Sequence, residues 1–93
     1  MIKTFKCKET EKIFYRRFSK KLPESIQRQA LRKLRLINAA DNLDALAAPP
    51  TNQLEKLKHD RAGRFSVRIN DQWRICFEWR DNNAYEVEIV DYH

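Results

Sequence analysis

The sequence contains few of the residues that mark several large classes of protein. Its 93 residues include one glycine, two cysteines and two histidines. A single glycine excludes a phosphate-binding loop of the GxGxxG or Walker type. Cys7 and Cys76 form no CxxC pair, and no spacing of His, Cys and Asp suggests a metal site. We therefore predict two free thiols, no metal or other cofactor, and no redox role.

Long apolar runs are also absent from the sequence. No stretch approaches the roughly 20 apolar residues of a membrane-spanning helix, and the positive charges near the amino terminus precede no apolar region. We therefore expect a cytoplasmic protein without a membrane partner. With 42% hydrophobic and 34% charged residues, the chain is expected to form a single domain over residues 1–93 with one modest core.

Positive charge is what the sequence has in excess. Lys and Arg number 19 against 13 acidic residues, which gives a net charge of +6. Residues 1 to 36 hold 12 basic and 3 acidic side chains (+9), whereas residues 37 to 93 hold 7 basic and 10 acidic ones (−3). Such a local excess is typical either of solvated helix faces or of a surface that binds a polyanion, and its size favours nucleic acid.

Alternation of apolar and polar residues predicts three strands in the last third of the chain. In the middle strand, residues 73 to 79, Trp73, Ile75, Phe77 and Trp79 alternate with Arg74, Cys76 and Glu78. The two connections, residues 70–71 and 81–83, consist of Asn and Asp, which tolerate the positive φ of tight hairpins. The pattern therefore predicts an antiparallel meander.

The amino-terminal half predicts two helices. Thr10 is positioned to cap the first helix, with Phe14 and Phe18 on its buried side. Pro23 suits the first position of the second helix, which extends to about residue 40. The second helix has an apolar stripe that comprises Ile26, Ala30, Leu34 and Ile37.

The remaining segments complete an α+β domain. Residues 2–5 and 54–58 predict short strands, residues 41–47 predict one or two further helical turns, and Gly63 predicts a positive φ. The expected fold has the two amino-terminal helices on one face of a mostly antiparallel, twisted sheet of about four to five strands. Its core face should carry Phe65, Val67, Ile69, Ile75, Phe77, Tyr85, Val87 and Ile89. Its opposite face should carry Arg68, Arg74 and Tyr92, together with Glu78, Glu86 and Glu88.

Chemically useful side chains are concentrated where the last predicted strand ends, at Asp91, Tyr92 and His93. Imidazole, with an unperturbed pKa of about 6.5, serves as either acid or base near neutral pH. Asp91 would orient that imidazole or act as the base itself. Each residue also has a structural alternative: His93 could be an idle terminus, Asp91 could end the strand and Tyr92 could cover the core.

Several of these residues together resemble a known family. The motifs are Arg68-Ile69-Asn70-Asp71-Gln72-Trp73-Arg74-Ile75 with Phe77, Leu57-Lys58-x-Asp60-Arg61-x-Gly63, the start Met1-Ile2-Lys3-x-Phe5 and the triplet Asp91-Tyr92-His93. In these motifs, and in length and order of elements, the chain resembles the HigB-type toxins of the RelE/ParE superfamily. The resemblance covers essentially the whole chain.

The resemblance implies a type II toxin that cleaves mRNA in the ribosomal A site without a metal ion. It also implies a helix-turn-helix, HigA-like antitoxin as partner, and contact with operator DNA only through that antitoxin. The implied catalytic residues are Lys58, Arg74, Asp91, Tyr92 and His93. Lys58 and Arg74 would hold the phosphate, and Tyr92 would stack on a base or donate a hydrogen bond to the phosphate. Arg74 could instead pair with Glu78, Glu86 or Glu88 across the sheet.

A wider set of residues is expected to contact messenger or ribosomal RNA: Arg16, Arg17, Lys20, Lys21, Arg28, Arg32, Arg35, Arg61, Arg64, Arg68 and Gln72. Some relatives carry a second histidine near the position of Glu55, for which His59 is the nearest equivalent here. Two other functions fit the same sequence. One is a gyrase-targeting, ParE-like toxin that binds protein, and the other is a basic RNA-binding domain without catalysis.

Overall fold

The computed structural model describes residues 1–57 and 63–92, and in those ranges it has three α-helices, one 3-10 helix and a four-stranded antiparallel sheet. The sheet order β1-β2-β3-β4 follows the chain. The predicted α+β class is confirmed. In chain order the elements are α1 (Lys8–Phe14), α2 (Glu24–Ala39), α3 (Leu43–Ala47), the 3-10 helix (Pro50–Asn52), β1 (Glu55–Lys56), β2 (Arg64–Arg68), β3 (Trp73–Arg80) and β4 (Asn83–Asp91).

Helix α2 follows its sequence pattern closely. Pro23 precedes the helix as its N-cap and does not occupy its first turn, and the helix ends one residue before the predicted limit. The predicted apolar stripe is confirmed, since its four members are the buried residues of α2 and pack against the sheet in one core. The predicted turns after residue 41 form α3, which begins after Asn42. The Asn42 side chain accepts a hydrogen bond from the backbone N–H of Ala45, at 3.0 Å.

Helix α1 differs from the prediction at both ends. Thr10 is not a cap, because it lies inside the helix with its hydroxyl accepting a hydrogen bond from the N–H of Ile89, at 2.9 Å. Of the predicted buried pair, Phe14 is partly buried against the core, but the prediction for Phe18 is wrong. The helix ends at Phe14 and the backbone turns left-handed at Arg16, with φ 63°. Phe18 therefore falls outside the helical period and is 59% exposed, while Ile13 is buried in its place.

The two hairpin connections use different chemistry. Asp81 and Asn82 have φ values of 51° and 61°, so the turn between β3 and β4 has the positive-φ geometry that the sequence predicts. Between β2 and β3 that expectation is wrong. The side chain of Asn70 accepts hydrogen bonds from the N–H groups of Gln72 and Trp73 there, at 2.9 and 2.8 Å, and closes the turn without positive φ at residues 70 and 71.

Strand β4 contains an irregularity that the alternation does not reveal. Cys76 pairs with Glu88, but Glu78 pairs with Tyr85, so one extra residue is accommodated on β4. The extra residue is Glu86, which has a φ of 52°. The bulge reverses the side-chain alternation, so the prediction that Tyr85 lies in the core is wrong. Ala84 is fully buried instead.

The two outermost predicted strands are shorter than expected. Ile2 and Phe5 form isolated parallel bridges to β4, opposite Ala84 and Val87, and not a continuous strand. Residues 54–58 contribute only the two-residue strand β1 at the sheet edge, and Lys58 lies outside the described residues. Gly63 has the predicted positive φ, at 82°.

The face of β3 opposite the helices is less accessible than its polar residues suggest. Cys76 is buried, and so is Arg74, at 6% exposure. Neither Cys7 nor Cys76 is in a disulfide, as predicted. In the described part of the chain, no helix is both long and apolar enough to cross a membrane.

Candidate functional site

Hydrogen bonds connect the end of β4 to the turn between β2 and β3. Asp91 pairs with Trp73 in the sheet register, and the next residue, Tyr92, donates its N–H to the carbonyl oxygen of Gln72 at 2.6 Å. The side-chain amide of Gln72 donates to Asp91 Oδ2 at 3.1 Å. Backbone and side-chain bonds thus fix the positions of Asp91 and Tyr92, two of the predicted catalytic residues.

Arg74 lies beneath this strand end and is held by oxygen atoms on several sides. Its Nε donates to the hydroxyl of Ser66 at 2.8 Å, and its Nη2 donates to the carbonyl oxygens of Ser66, at 3.2 Å, and Gln53. Its Nη1 lies 3.5 Å from Glu55 Oε1. The guanidinium is therefore occupied by the protein itself, and its buried charge is compensated.

The partners of Arg74 differ from those expected on the sheet. Cross-strand pairs of Arg74 with Glu78, Glu86 or Glu88 are wrong, because these three carboxylates have other neighbours. Glu78 pairs with Arg80 at 3.0 Å, and Glu88 lies 3.9 Å from Arg64 and 3.7 Å from Lys6. Glu86 accepts from the Thr4 hydroxyl at 3.4 Å. Arg74 instead pairs with Glu55 of β1, which the alternation of β3 cannot indicate.

Tyr92 lies over the buried cation. The guanidinium carbon of Arg74 is 5.8 Å from the centroid of the Tyr92 ring, within the range of a cation–π interaction. Tyr92 is 43% exposed. Tyr92, Asp91, Gln72 and Glu55 thus form one exposed patch with Arg74 beneath it, and we refer to these four residues as the strand-end patch.

Four residues singled out by the sequence lie outside the described residues. They are Lys58, His59, Arg61 and His93. Lys58 directly follows Leu57, and His93 directly follows Tyr92, so each borders described residues. Within residues 1–57 and 63–92, no three His, Cys, Asp or Glu side chains are grouped closely enough to hold a metal ion.

Most of the basic residues expected to bind RNA form an exposed surface on the helical side of the molecule. Its exposed members are Arg16, Arg17, Lys20, Lys21, Arg28, Arg32 and Arg35. Four of these arginines, Arg16, Arg17, Arg28 and Arg35, line one groove with Phe18 and Leu31. Arg64 is not part of this surface, since it is largely buried beside Glu88. Arg68 lies at the end of β2, in a salt bridge of 2.5 Å with Asp71.

The sequence gives no indication of several residues that build the site. Ser66, Gln53 and Glu55 hold Arg74, yet none of them belongs to a motif. Lys33 belongs to none of the predicted sites, although burial lowers its pKa and the nearby charges of Arg68 and Arg32 lower it further. Gln53 comes from the connection between the helices and the sheet, and Glu55 from the short edge strand β1 that follows it. Only the folded chain brings that connection beside β2 and β3.

The fold is that of a known class of small bacterial toxins. A Staphylococcus aureus structure, the heterotetrameric YoeB-YefM toxin-antitoxin complex, superposes with a TM-score of 0.62 over 100% of this chain and 98% of that chain, at 20% identity. The sequence model of the HigB-like toxins, described as "RelE-like toxin of type II toxin-antitoxin system HigB", matches residues 3–93. The chain belongs to this HigB-like toxin family, which confirms the resemblance carried by its motifs.

Two relatives are similar over different lengths. "Toxin HigB-1" of Vibrio cholerae is 38% identical over 63 residues, which are 68% of this chain and 66% of that toxin. The match thus spans just under two thirds of the Vibrio protein. "Endoribonuclease HigB" of Proteus vulgaris is 30% identical over 93 residues, which is the full length of both chains.

Proposed function

We propose that this chain is a toxin that stops translation by cutting mRNA in the ribosomal A site. The observation that carries the proposal is the fixed strand end immediately before His93 in the sequence, where Gln72 holds Asp91 and Tyr92 lies over the buried Arg74. The family membership and the name of the Proteus vulgaris relative, an endoribonuclease, support the same activity.

The proposed reaction is metal-independent and uses the ribose 2′-OH as nucleophile. It requires removal of the 2′-OH proton, stabilisation of the charge on the five-coordinate phosphorus, and protonation of the leaving 5′-oxygen. His93 carries one proton transfer, and Asp91 orients His93 or carries the other. Lys58 supplies positive charge for the phosphate.

Arg74 contributes to this reaction differently from Lys58. Its guanidinium already donates to Ser66 and to the Gln53 carbonyl, so direct bidentate binding of a phosphate would break bonds inside the protein. Arg74 therefore positions Tyr92 from below and adds a fixed positive charge to the strand-end patch. Only its Nη1, which lies 3.5 Å from the exposed Glu55, faces a partner that a phosphate could replace.

The ribosome supplies the alignment that the small site lacks. One imidazole, one lysine and a fixed arginine leave the in-line arrangement of the RNA undetermined. The basic helical surface is proposed to dock on ribosomal RNA and so to present the strand-end patch to the mRNA. Purified protein without ribosomes is expected to cut RNA poorly.

An antitoxin is the proposed protein partner, and a helix-turn-helix protein of the HigA type fits the family. The Staphylococcus aureus neighbour is itself a toxin-antitoxin complex, and toxins of type II systems act in such pairs. The helical side also exposes Tyr15, Phe18 and Leu36 between its cations. Exposed apolar groups of this size favour a protein partner on this side in addition to RNA.

Mapping the 5′ ends of mRNA in a reconstituted translation reaction tests the nuclease. The intact chain is expected to produce cuts inside codons at the A site, and His93→Ala should abolish them. His59→Ala is the matched control, because it removes the only other imidazole and should leave the cuts in place.

The outcomes separate the candidate functions. Cuts that persist with His93→Ala would remove His93 from the mechanism. If the intact chain produces no cuts although cells that express it stop growing, the nuclease proposal is wrong. A gyrase supercoiling assay would then test the ParE-like alternative, and inhibition of supercoiling would support it.

A further inference from the structure

A cavity of about 320 Å³ lies beside the strand-end patch, between α2, the 3-10 helix and the end of β2. Three cations line it: Arg32 and Lys33 from α2, and Arg68 from β2. The remaining described residues of its wall are neutral, so the cavity has three positive charges and no carboxylate. The Gln29 and Thr51 side chains in the same wall add neutral hydrogen-bonding groups.

Lys33 is fixed in the cavity by a neutral partner. Its Nζ donates to Asn52 Oδ1 at 2.5 Å. Asn52 is 1% exposed, and its amide donates in turn to the carbonyl oxygen of Leu46 at 3.0 Å. Asn52 thus orients the ammonium group without neutralising it, and two of the three ammonium protons remain for another acceptor.

The charge in the cavity is not compensated within its walls. Burial lowers the pKa of Lys33, and the positive charges of Arg68 and Arg32 lower it further. Among the residues that the structure describes, the acid paired with these cations is Asp71, which binds Arg68 from the β2–β3 turn and is 99% exposed. An anion in the cavity would relieve the repulsion among the three cations and stabilise the charged form of Lys33.

We propose that Arg32, Lys33 and Arg68 form a binding site for one backbone phosphate of the RNA substrate. An ammonium held in place between two planar guanidinium groups suits a phosphate with several acceptor oxygens. The inference rests on the proposed function for the identity of the RNA. The cavity itself, with its charges and its fixed lysine, is independent of catalysis.

The position of the cavity explains why RNA is the occupant. Arg68 pairs directly with Arg74 across β2 and β3, so their Cα atoms are about 4.5 to 5.5 Å apart. Gln53, which accepts from Arg74, directly follows Asn52, which holds Lys33. An RNA strand with one phosphate in the cavity therefore extends toward Tyr92. The phosphate site thus fixes the register of the RNA relative to the strand-end patch.

Nuclear magnetic resonance of the full chain, with isotopically labelled lysine side chains, tests the site. The probe is a short single-stranded RNA with 2′-O-methyl riboses, which cannot be cut. The RNA should raise the pKa of Lys33, because a bound phosphate stabilises the ammonium form. Lys33→Met should weaken binding of the probe about tenfold, the loss expected for one charge-assisted contact. Inorganic phosphate alone should produce the same shift at higher concentration.

Two variants control for loss of charge and for folding. Lys3→Met removes an exposed lysine that does not line the cavity and should bind the probe as the intact chain does. Lys33→Arg retains the charge and should retain most of the binding. If Lys33→Met proves unstable, Arg68→Gln tests the same cavity from the sheet side.

The proposal is overturned if Lys33→Met and Lys3→Met bind the probe equally well. It is also overturned if an acidic peptide moves the pKa of Lys33 and RNA does not, since the cavity would then belong to a protein partner. The probe is uncleavable and no ribosome is present, so these results do not depend on nuclease activity. An RNA-induced shift at Lys33 without any mRNA cuts in the translation assay would retain the phosphate site and refute the nuclease.

Discussion

Burial changes the function that can be inferred for Arg74. A cation in a strand of an RNA-binding protein suggests a phosphate ligand, but a buried charge must first be paired by the protein. Ser66 and Gln53 provide that pairing from β2 and from the segment before β1. Arg74 therefore joins the edge of the sheet to the strand-end patch and holds Tyr92 from below.

The structural role of Arg74 predicts a loss of stability as well as of activity. Arg74→Met should lower the free energy of unfolding by about 2 to 4 kcal/mol, because the Ser66 and Gln53 oxygens lose their donors in a buried position. Urea denaturation measures the change. The control is Arg80→Met, which removes an exposed arginine from the same strand and should cost no more than about 1 kcal/mol. Unchanged stability of Arg74→Met would mean that its guanidinium is available for RNA.

At the scale of the secondary-structure elements, one residue determines which side chains of β4 face the core. Glu86 adopts a left-handed conformation with φ 52°, which shifts the side-chain alternation of the strand. On the amino-terminal side of the bulge, Ala84 faces the core and Tyr85 lies against Arg80, 4.0 Å from its guanidinium carbon. Beyond the bulge, Val87 and Ile89 are buried. The bulge therefore allows both halves of β4 to pack against the core.

Substitutions of Glu86 test the bulge directly. A left-handed conformation costs a residue with a side chain roughly 1 to 2 kcal/mol, and a β-branched residue tolerates it worst. Glu86→Val should therefore lower the free energy of unfolding by about 1 to 2 kcal/mol, whereas Glu86→Gly should be at least as stable as the natural chain. Thermal unfolding of the two variants provides the comparison. Equal melting temperatures would contradict the assigned conformation.

The contrast between α2 and β4 shows what the sequence can predict. The period of α2 is set by local geometry, so Ile26, Ala30, Leu34 and Ile37 identify the buried face without knowledge of the fold. The Asp81-Asn82 turn is likewise encoded locally. The conformation of Glu86 depends on pairing with β3 and with Thr4, whose hydroxyl accepts from the N–H of Glu86 at 2.8 Å. No local pattern carries that information.

The candidate site likewise contains some residues that the sequence predicts and others that it does not. Asp91, Tyr92 and Gln72 were predictable because motif and strand end coincide in the sequence. The surroundings of Arg74 were not predictable, since Gln53 and Glu55 precede it by about twenty residues and approach it only through the edge strand β1. Lys33 could be recognised as basic, but its fixed position in the cavity depends on its contact with Asn52.

For the whole molecule, most of the exposed positive charge lies apart from the strand-end patch, with Arg32 and Lys33 as the exceptions beside it. The basic excess belongs to residues 1 to 36, which contain α1 and most of α2, whereas the strand-end patch is formed by the sheet strands β1 and β4 and the turn between β2 and β3. Each phosphate contact releases counterions from RNA, so a surface with several exposed cations produces binding that weakens steeply with salt. The helical surface should therefore determine the affinity for the ribosome, and the strand-end patch should determine the cleavage of the mRNA.

Charge reversal on the helical side tests this division. Arg17→Glu, Lys20→Glu and Lys21→Glu together should weaken ribosome binding and make the plot of log affinity against log salt shallower, by roughly 0.7 to 0.9 for each phosphate that is no longer neutralised. Sedimentation with ribosomes at several salt concentrations measures both effects. Lys3→Glu, Lys56→Glu and Arg80→Glu change the net charge equally at exposed positions that are not part of the basic helical surface, so they control for long-range attraction. An unchanged slope for the variant at Arg17, Lys20 and Lys21 would show that the basic helical surface does not contact RNA, and its exposed arginines would then belong to the antitoxin surface.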